Sequence, residues 1–331
     1  MTAFLPTSPL VPWFLLGGLA LTLLVGFVIV RIRSGTVARA LAWGQAVALV
    51  AAVERACARE PPGLRMLAII AFLLYAMKTV VLVEWAGEGH RLSPAGHLAF
   101  AAAWPGMRPA LFRSLGGPAV PEARERIVRG ALALAAGSAL IVLARAVWAG
   151  SGTYTRGVSL LLATLPLLTG LSLILHFGLF SLIVGLWRLA GVPCEPLFRA
   201  PLRSKSLREF WSRRWNLAFS EMTALTVFRP VTKALGRPAG TMAAFLFSGL
   251  LHELAISLPV RAGFGGPLLY FAFHGAAVLL EGHFERTGRT FLTGPLASRL
   301  WVGAWLLLPL PILFHPPFLQ GVVWPLLGSP R

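Results

Sequence analysis

The chain has 331 residues, of which 56% are apolar and only 13% are charged, and its mean hydropathy is +0.74. Soluble domains carry about 25% charged residues, so this composition excludes a large soluble domain and indicates an integral membrane protein. The 30 basic residues against 12 acidic ones give a net charge of +18. In a membrane protein, basic loops mark the cytoplasmic side and contact anionic headgroups, so we expect no nucleic-acid partner.

The hydrophobic pattern predicts an all-α, polytopic protein with about 8–10 transmembrane or re-entrant helices around an intramembrane reaction chamber. We treat residues 1–331 as one membrane-embedded domain with a motif-bearing core at 188–285. The apolar runs behind this prediction are Pro12–Val30, Ala40–Val53, Leu64–Val83, Leu98–Trp104, Gly130–Trp148, Gly157–Leu186, Thr241–Val260, Gly266–Leu280 and Leu296–Leu313.

For three of these runs, the length or a proline argues against one full, upright membrane-spanning helix. Ala40–Val53 is too short for an upright span, and it either crosses obliquely or lies at the surface. Leu98–Trp104 stops at Pro105 and therefore predicts a half-helix. Gly157–Leu186 is longer than one crossing needs, and it predicts either two helices or one broken helix.

Basic residues predict the orientation. Arg31 and Arg33 follow the first run, and ten Lys or Arg residues lie from Arg188 to Arg237, so both places are expected on the cytoplasmic side. No Lys or Arg precedes the first run, so we expect it to be a retained helix and not a cleaved signal peptide. Lys78, inside the third run, is expected to snorkel along its helix.

The run Thr241–Val260 carries His252 and Glu253 close to its centre. An ionisable side chain there costs about 2.5–3.5 kcal/mol on insertion scales, so the pair either joins helices inside the bundle or has a function. Histidine titrates near neutrality and can act as a general base towards an alcohol. Ser248 lies one turn earlier on the same face, which leaves a serine nucleophile or a simple helix contact as alternatives.

A second motif runs from Ser206 to Phe219. Ser206 and Glu209 form a capping box that predicts the start of a helix. The helical spacing then gives an apolar stripe suited to the membrane interface and places Asn216 on the opposite, polar side. The members of the stripe are Leu207, Phe210, Trp211, Trp215 and Ala218.

Six basic residues surround this helix. They could hold the phosphates of a coenzyme A carrier or only contact headgroups, and the charge count does not separate the two. They are Arg199, Arg203, Lys205, Arg208, Arg213 and Arg214. On the next run, His274 and Glu281 are seven residues apart and share one face. The two cysteines, Cys57 and Cys194, are too far apart in the sequence to suggest a metal site.

These motifs carry a resemblance. In order, PLFRAPLRSKSLREFWSRRWN, FSGLLHEL and FHGAAVLLE resemble the wax synthase branch of the membrane-bound O-acyltransferase superfamily, over Pro196–Glu281. The WPGM element at Trp104–Met107 is similar to one in bacterial members. The resemblance implies that His252 is the catalytic base and Asn216 its companion.

It also implies transfer of a fatty acyl group from acyl-CoA to the hydroxyl of a long-chain alcohol or another lipid acceptor. We expect no metal and no cofactor besides the acyl-CoA donor, and we make no prediction of oligomeric state. The side chains expected to contact the substrates are Trp211, Arg213, Arg214, Trp215, Ser248, Glu253 and His274.

One alternative function is a transporter or lipid-binding scaffold with a proton or substrate path through His252, Glu253 and Glu281. The sequence shows no internal repeat, which counts against a transporter built on inverted repeats. A nearer alternative is acyl transfer to a different hydroxyl. The Arg- and Ala-rich composition suggests a GC-rich bacterial genome and hence a bacterial inner membrane.

Overall fold

The computed structural model of the protein describes residues 2–150, 155–288 and 294–328, and all regular structure in them is helical. The α-helices are α1 Leu10–Ile29, α2 Gly35–Ala56, α3 Pro62–Gly87, α4 Pro94–Ala103, α5 Ala123–Ala149, α6 Arg156–Ser172, α7 Phe180–Leu189, α8 Leu207–Glu209, α9 Leu217–Thr223, α10 Arg229–Leu235, α11 Arg237–His252, α12 Leu258–Val260, α13 Gly266–Arg286, α14 Pro295–Leu307, α15 Leu310–Leu313 and α16 Pro316–Phe318. The π-helical segments are Leu173–Leu179, Phe210–Arg214, Ala224–Phe228, Glu253–Ser257 and Leu319–Val323. The short 3₁₀ turns are Thr2–Phe4, Pro109–Ser114, Pro201–Arg203 and Trp324–Leu326.

Among the described residues, seven helices are long and apolar enough to cross a membrane. They are Leu10–Ile29, Gly35–Ala56, Pro62–Gly87, Ala123–Ala149, Gly157–Leu189, Arg237–Val260 and Pro295–Leu313. The 21-residue α13 packs against α11. The predicted class, an all-α polytopic membrane protein, is confirmed.

Two of the open segments are settled by the helix bounds. The second helix begins at Gly35 and has 22 residues, because Ser34 caps it and Arg39 is tolerated at its edge by pairing with Glu84 at 2.7 Å. It is therefore long enough to span. The run around Pro166 forms one continuous helix of 33 residues, Gly157–Leu189, which passes through a π-helical segment without a break.

Polar contacts collect at the two ends of the bundle. At one end, Glu54 binds Arg65 at 2.7 Å and Arg261 at 2.9 Å, which joins the end of α2, the start of α3 and the end of α12. At the other end, the backbone N–H of Val120 donates to the carbonyl of Arg188 at 2.8 Å, which joins the start of α5 to the end of α7. Alternation of the spans puts the Arg31 boundary and the basic stretch at this second end, in agreement with the predicted orientation.

Lys78 does not snorkel. Its side chain is 1% exposed in the middle of α3, its ammonium nitrogen donates to the carbonyl of Gly106, and it lies 3.7 Å from the ring centroid of Phe100. The lysine ties the turn after α4 to the bundle centre. Gly106 is required in that turn, because an added Cβ would lie 2.2 Å from the indole nitrogen of Trp104.

Candidate active site

His252 is the last residue of α11, where the helix continues into the π-helical segment Glu253–Ser257. Its Nδ1 lies 2.7 Å from the carbonyl oxygen of Ser248. A carbonyl only accepts hydrogen bonds, so Nδ1 carries the proton and Nε2 of the neutral ring holds a free lone pair. The ring is partly exposed, and Nε2 has no hydrogen-bond partner in the described part of the chain. His252 is thus in the form that can accept a proton.

Three helical elements meet at this imidazole. Phe271 of α13 lies 4.3 Å from it between ring centroids, and Phe219 of α9 lies 5.7 Å from it. Gly249 allows the close approach of α11 to α13, since a Cβ there would sit 2.8 Å from the Cα of Leu268. The surroundings of His252 are therefore aromatic and apolar apart from the backbone of its own helix.

Asn216 begins α9 in the left-handed conformation, with φ 45° and ψ 61°. Asparagine is one of the few residues other than glycine that adopts this region readily. Its side-chain oxygen accepts from the N–H of Phe219 at 3.4 Å, and the ring of Phe219 is the one that neighbours His252. The N–H of Leu217 donates to the carbonyl of Leu197 at 2.9 Å, which fixes the turn. Asn216 and His252 are thereby joined through one residue.

The single amphipathic helix predicted from Ser206 to Phe219 is wrong beyond its first turns. Its start is confirmed, because the N–H of Glu209 donates to the hydroxyl of Ser206 at 3.0 Å. The α-helix ends at Glu209, a π-helical segment follows to Arg214, and the chain turns at Asn216. The predicted interfacial stripe is instead largely packed inside the bundle: its buried members are Leu207, Phe210 and Ala218.

Glu209 stabilises this turn from its polar side. One carboxylate oxygen accepts from the N–H of Lys205 at 2.8 Å, and the other pairs with Arg214 at 2.6 Å. The N–H of Lys205 and then the charge of Arg214 lower the pKa of Glu209, while partial burial opposes them. The carboxylate is thus held ionised, and Arg214 is occupied by it.

Trp211 contacts His274 directly and is linked to His252 through the ring of Phe271. Its ring meets that of His274 edge-on at 5.3 Å and that of Phe271 at 5.5 Å. The indole N–H is buried and has no hydrogen-bond partner among the described residues. Buried donors are nearly always satisfied, so an orphaned one beside a candidate site marks a place where a ligand oxygen would be favoured.

His274 is completely buried, and its Nδ1 lies 2.8 Å from the carbonyl of Tyr270. Glu281, two turns further along the same face of α13, accepts from the N–H groups of Leu207 at 2.8 Å and Arg208 at 3.1 Å, and from the indole of Trp301 at 2.9 Å. The structure therefore uses Glu281 as a cap for α8 and gives His274 no open surface.

Glu253 and Ser248 also have structural partners. Glu253 turns towards the start of α13, where one oxygen accepts from the N–H groups of Gly265 at 2.8 Å and Leu268 at 3.1 Å. The hydroxyl of Ser248 donates to the carbonyl of Ala244 at 2.9 Å. Ser248 therefore contacts His252 through its backbone carbonyl. The hydroxyl of Ser248 is bonded within α11.

The basic residues divide into two groups. Arg199 pairs with Glu195, Arg208 pairs with Glu285 at 2.5 Å, and Arg214 pairs with Glu209. The other three are exposed and have no ion pair in the described ranges: Arg203, Lys205 and Arg213.

Sequence reasoning missed His176. It lies in the π-helical segment between α6 and α7, bonded at 3.0 Å to the hydroxyl of Ser172, and its ring is 4.5 Å from that of Phe198 and 5.2 Å from that of Trp215. Trp215 therefore faces this second aromatic cluster. The π-helical segment around His176 marks the residue in the structure, because π-helical turns are frequent at functional sites. The sequence alone does not show this segment, so it offered no signal for His176.

Comparison with known proteins adds an independent observation. Residues 194–273 match the family model of the membrane bound O-acyl transferase family, a range that includes Asn216 and His252. The resemblance to the wax synthase branch is confirmed.

The chain is 39% identical over 108 residues to the "Probable long-chain-alcohol O-fatty-acyltransferase 1" of Arabidopsis thaliana, an alignment that covers 30% of this chain and 32% of that protein. It is 33% identical over 136 residues to the "Long-chain-alcohol O-fatty-acyltransferase" of Simmondsia chinensis, covering 36% of this chain and 39% of that protein. The matched region thus spans between about a third and two fifths of these relatives.

Proposed function

We propose that this protein is a membrane-embedded O-acyltransferase that moves a fatty acyl group from acyl-CoA to the hydroxyl of a long-chain alcohol. The observation that carries the proposal is the tautomer of His252, whose Nδ1 is committed to the carbonyl of Ser248 and whose Nε2 is left as a base. The family match over 194–273 and the names of the relatives support the acyl-transfer class.

In the reaction, Nε2 of His252 takes the hydroxyl proton while the alcohol oxygen bonds to the thioester carbonyl carbon. The carbon–sulfur bond then breaks, and the departing thiolate of coenzyme A receives the proton from the imidazolium. No acyl-enzyme is needed, which agrees with the engagement of the Ser248 hydroxyl by Ala244. The rings of Phe219 and Phe271 pack beside His252 and limit the access of water to it.

Asn216 acts from the adjoining turn. Its amide oxygen is used by the N–H of Phe219, which leaves the amide NH₂ group as a donor. We assign that donor to the oxygen that becomes negatively charged as the thioester is attacked, where a placed hydrogen bond lowers the barrier. The three exposed cations, Arg203, Lys205 and Arg213, supply charge for the phosphates of the donor.

The transporter alternative has less support. Glu253 caps the start of α13 and Glu281 lies near its opposite end, 28 residues later in the chain. Both carboxylates accept backbone N–H groups. These bonds favour a structural role for both carboxylates over a proton relay.

The location in a bacterial inner membrane remains a prediction from composition alone. The relatives named above are plant proteins and give it no support.

The test is an assay of the purified protein in detergent with labelled palmitoyl-CoA and either hexadecanol or diacylglycerol. Wild-type protein is expected to form the wax ester, and folded His252→Ala is expected to form none. Diacylglycerol as the better acceptor would keep the acyltransferase class and replace the alcohol. If the wild-type protein forms no ester with any hydroxyl acceptor, the proposal is overturned.

A further inference from the structure

A pocket away from His252 lies at the end of the bundle that carries Arg31, the end predicted to be cytoplasmic. It encloses about 230 Å³ between the ends of α1 and α3 and the start of α4. Four nitrogen-bearing side chains line it: Arg31, His90, Arg91 and His97. Its depth matches the membrane boundary, because Arg31 directly follows the first span.

The guanidinium of Arg31 is fixed before any ligand binds. One of its nitrogens donates to the carbonyl of Phe27 at 2.7 Å, and the guanidinium carbon lies 3.2 Å from the centroid of the Phe27 ring. The opposite wall repeats the arrangement, since Arg91 donates to the carbonyls of Ala86 and His90, both at 2.9 Å. Guanidinium groups held in this way lose little entropy when they bind an oxyanion.

The two arginines are not neutralised. Neither has an ion pair in the ranges that the structure describes. Glu84 pairs with Arg39 at 2.7 Å. Glu88, whose side chain is 55% exposed, lies 4.0 Å from His90 of the pocket and pairs with neither arginine. Burial and the charge of Arg91 lower the pKa of Arg31. The two guanidinium groups of the pocket therefore lack a carboxylate partner among the described residues.

The remaining walls of the pocket combine a polar ring with apolar side chains. His97, whose ring meets that of Phe27 edge-on at 4.9 Å, has its pKa lowered to about 4 by burial and by Arg31, so it offers a neutral ring. Val30 and Leu82 give the pocket an apolar side. Beside it, α1 exposes a ridge of large apolar residues towards the lipid: Leu21, Leu24 and Val28.

We propose that this pocket binds the phosphate of an anionic phospholipid, with the two guanidinium groups on the phosphate oxygens and the acyl chains along α1. A cationic pocket at headgroup depth with an apolar wall matches both parts of such a lipid. The volume exceeds what a phosphate alone fills, which favours the lipid over the free ion. The proposal does not rest on acyl transfer.

Native mass spectrometry of the detergent-purified protein tests it. Phosphatidylglycerol and phosphatidylcholine are titrated separately against wild type, the double variant Arg31→Gln/Arg91→Gln, and the matched control Arg33→Gln, which removes an exposed charge two residues from the pocket. Wild type and Arg33→Gln are expected to retain phosphatidylglycerol in preference to phosphatidylcholine. The double variant is expected to lose about tenfold or more in apparent affinity for phosphatidylglycerol only.

Equal binding of phosphatidylglycerol by the double variant and the control would overturn the site. If inorganic phosphate at millimolar concentration displaces phosphatidylglycerol completely, the site belongs to free phosphate and the lipid assignment is wrong. Should the double variant fail to elute as a folded species, Arg91→Gln alone serves, because its side chain is exposed; it is expected to weaken phosphatidylglycerol binding severalfold relative to Arg33→Gln.

Discussion

The imidazole of His252 donates to the carbonyl oxygen of Ser248 one turn earlier, at 2.7 Å. This bond fixes which nitrogen is basic without help from a carboxylate, and it depends only on the regular geometry of α11. The helix backbone therefore sets the tautomer and orientation of this histidine, one of the two roles that an acidic partner has in a catalytic triad.

Replacing His252 is expected to abolish proton transfer. We expect His252→Gln to lower kcat by roughly 10²–10⁴-fold, the usual contribution of a general base, with a small change in KM for acyl-CoA. The measurement is initial-rate kinetics on folded protein, with His283→Gln as a control outside the site, since His283 is exposed in the last turn of α13. Wild-type kcat in His252→Gln would rule out the mechanism.

Asn216 offers a way to separate backbone shape from chemistry. Asn216→Gly keeps access to the left-handed conformation, whereas Asn216→Ala adds strain and loses the cap, at a cost of about 1–2 kcal/mol. We expect both variants to lose about 10²-fold or more in kcat, because both lack the amide donor. Only Asn216→Ala should also lower the thermal midpoint. An active Asn216→Gly would reduce Asn216 to a turn residue.

Two adjacent arginines are expected to behave differently. Arg213 is exposed and has no ion pair in the described ranges, while Arg214 is bound to Glu209 and to the carbonyl of Arg199. Arg213→Gln should raise KM for acyl-CoA by about tenfold with unchanged stability. Arg214→Gln should lower the thermal midpoint instead. The two are compared by paired kinetics and thermal unfolding, and identical profiles would contradict this division.

Glu281 is expected to be structural. The change Glu281→Gln leaves the side chain with one acceptor oxygen for three donors, and each orphaned buried group costs about 1–3 kcal/mol. We expect a thermal midpoint several degrees lower, whereas Glu285→Gln, which removes a carboxylate that is 58% exposed, should have almost no effect. Loss of transport or transfer activity at full stability would instead favour a proton path through Glu281.

Both cysteines are expected to be inert in the folded protein. Burial raises the pKa of Cys194 to about 12 and also raises that of Cys57, so both thiols are neutral at pH 8 and lack the reactive thiolate. N-ethylmaleimide should label neither until the protein is denatured, while an added exposed thiol, Arg33→Cys, should react at once. Mass spectrometry of the intact protein measures the labelling. Labelling of the native wild-type protein would contradict the prediction.

The all-α membrane fold was predictable because apolar length and charge placement are read directly from residues. The local path of the chain at the site was not. Helical periodicity placed Asn216 on the polar side of one helix, facing water or a polar chamber, yet that helix stops before it and Asn216 instead caps the start of α9 in the left-handed conformation. Periodicity assumes that a helix continues, and nothing in the letters SRRWN reports the π-helical turn that ends it.

Ion pairing between distant segments was equally hidden. The six basic residues at 199–214 looked alike in the sequence, but three of them form ion pairs with acidic residues. Arg208, for example, pairs with Glu285, which lies 77 residues later in the chain. Lys78 was expected to snorkel along its helix and is instead bound to Gly106, 28 residues later. Such partners follow from the tertiary fold and not from local sequence.

The π-helical turn at Glu253–Ser257, directly after His252, makes the length of this helix a functional quantity. A π turn holds one residue more than an α turn, so deleting a single residue there would let the chain recover a regular α-helix. Each residue of an α-helix turns the chain by about 100°, so the imidazole would then point away from Phe271 unless the outer end rotated instead. We therefore expect an insertion or deletion within Glu253–Ser257 to lower activity more than a substitution of a side chain in the same segment.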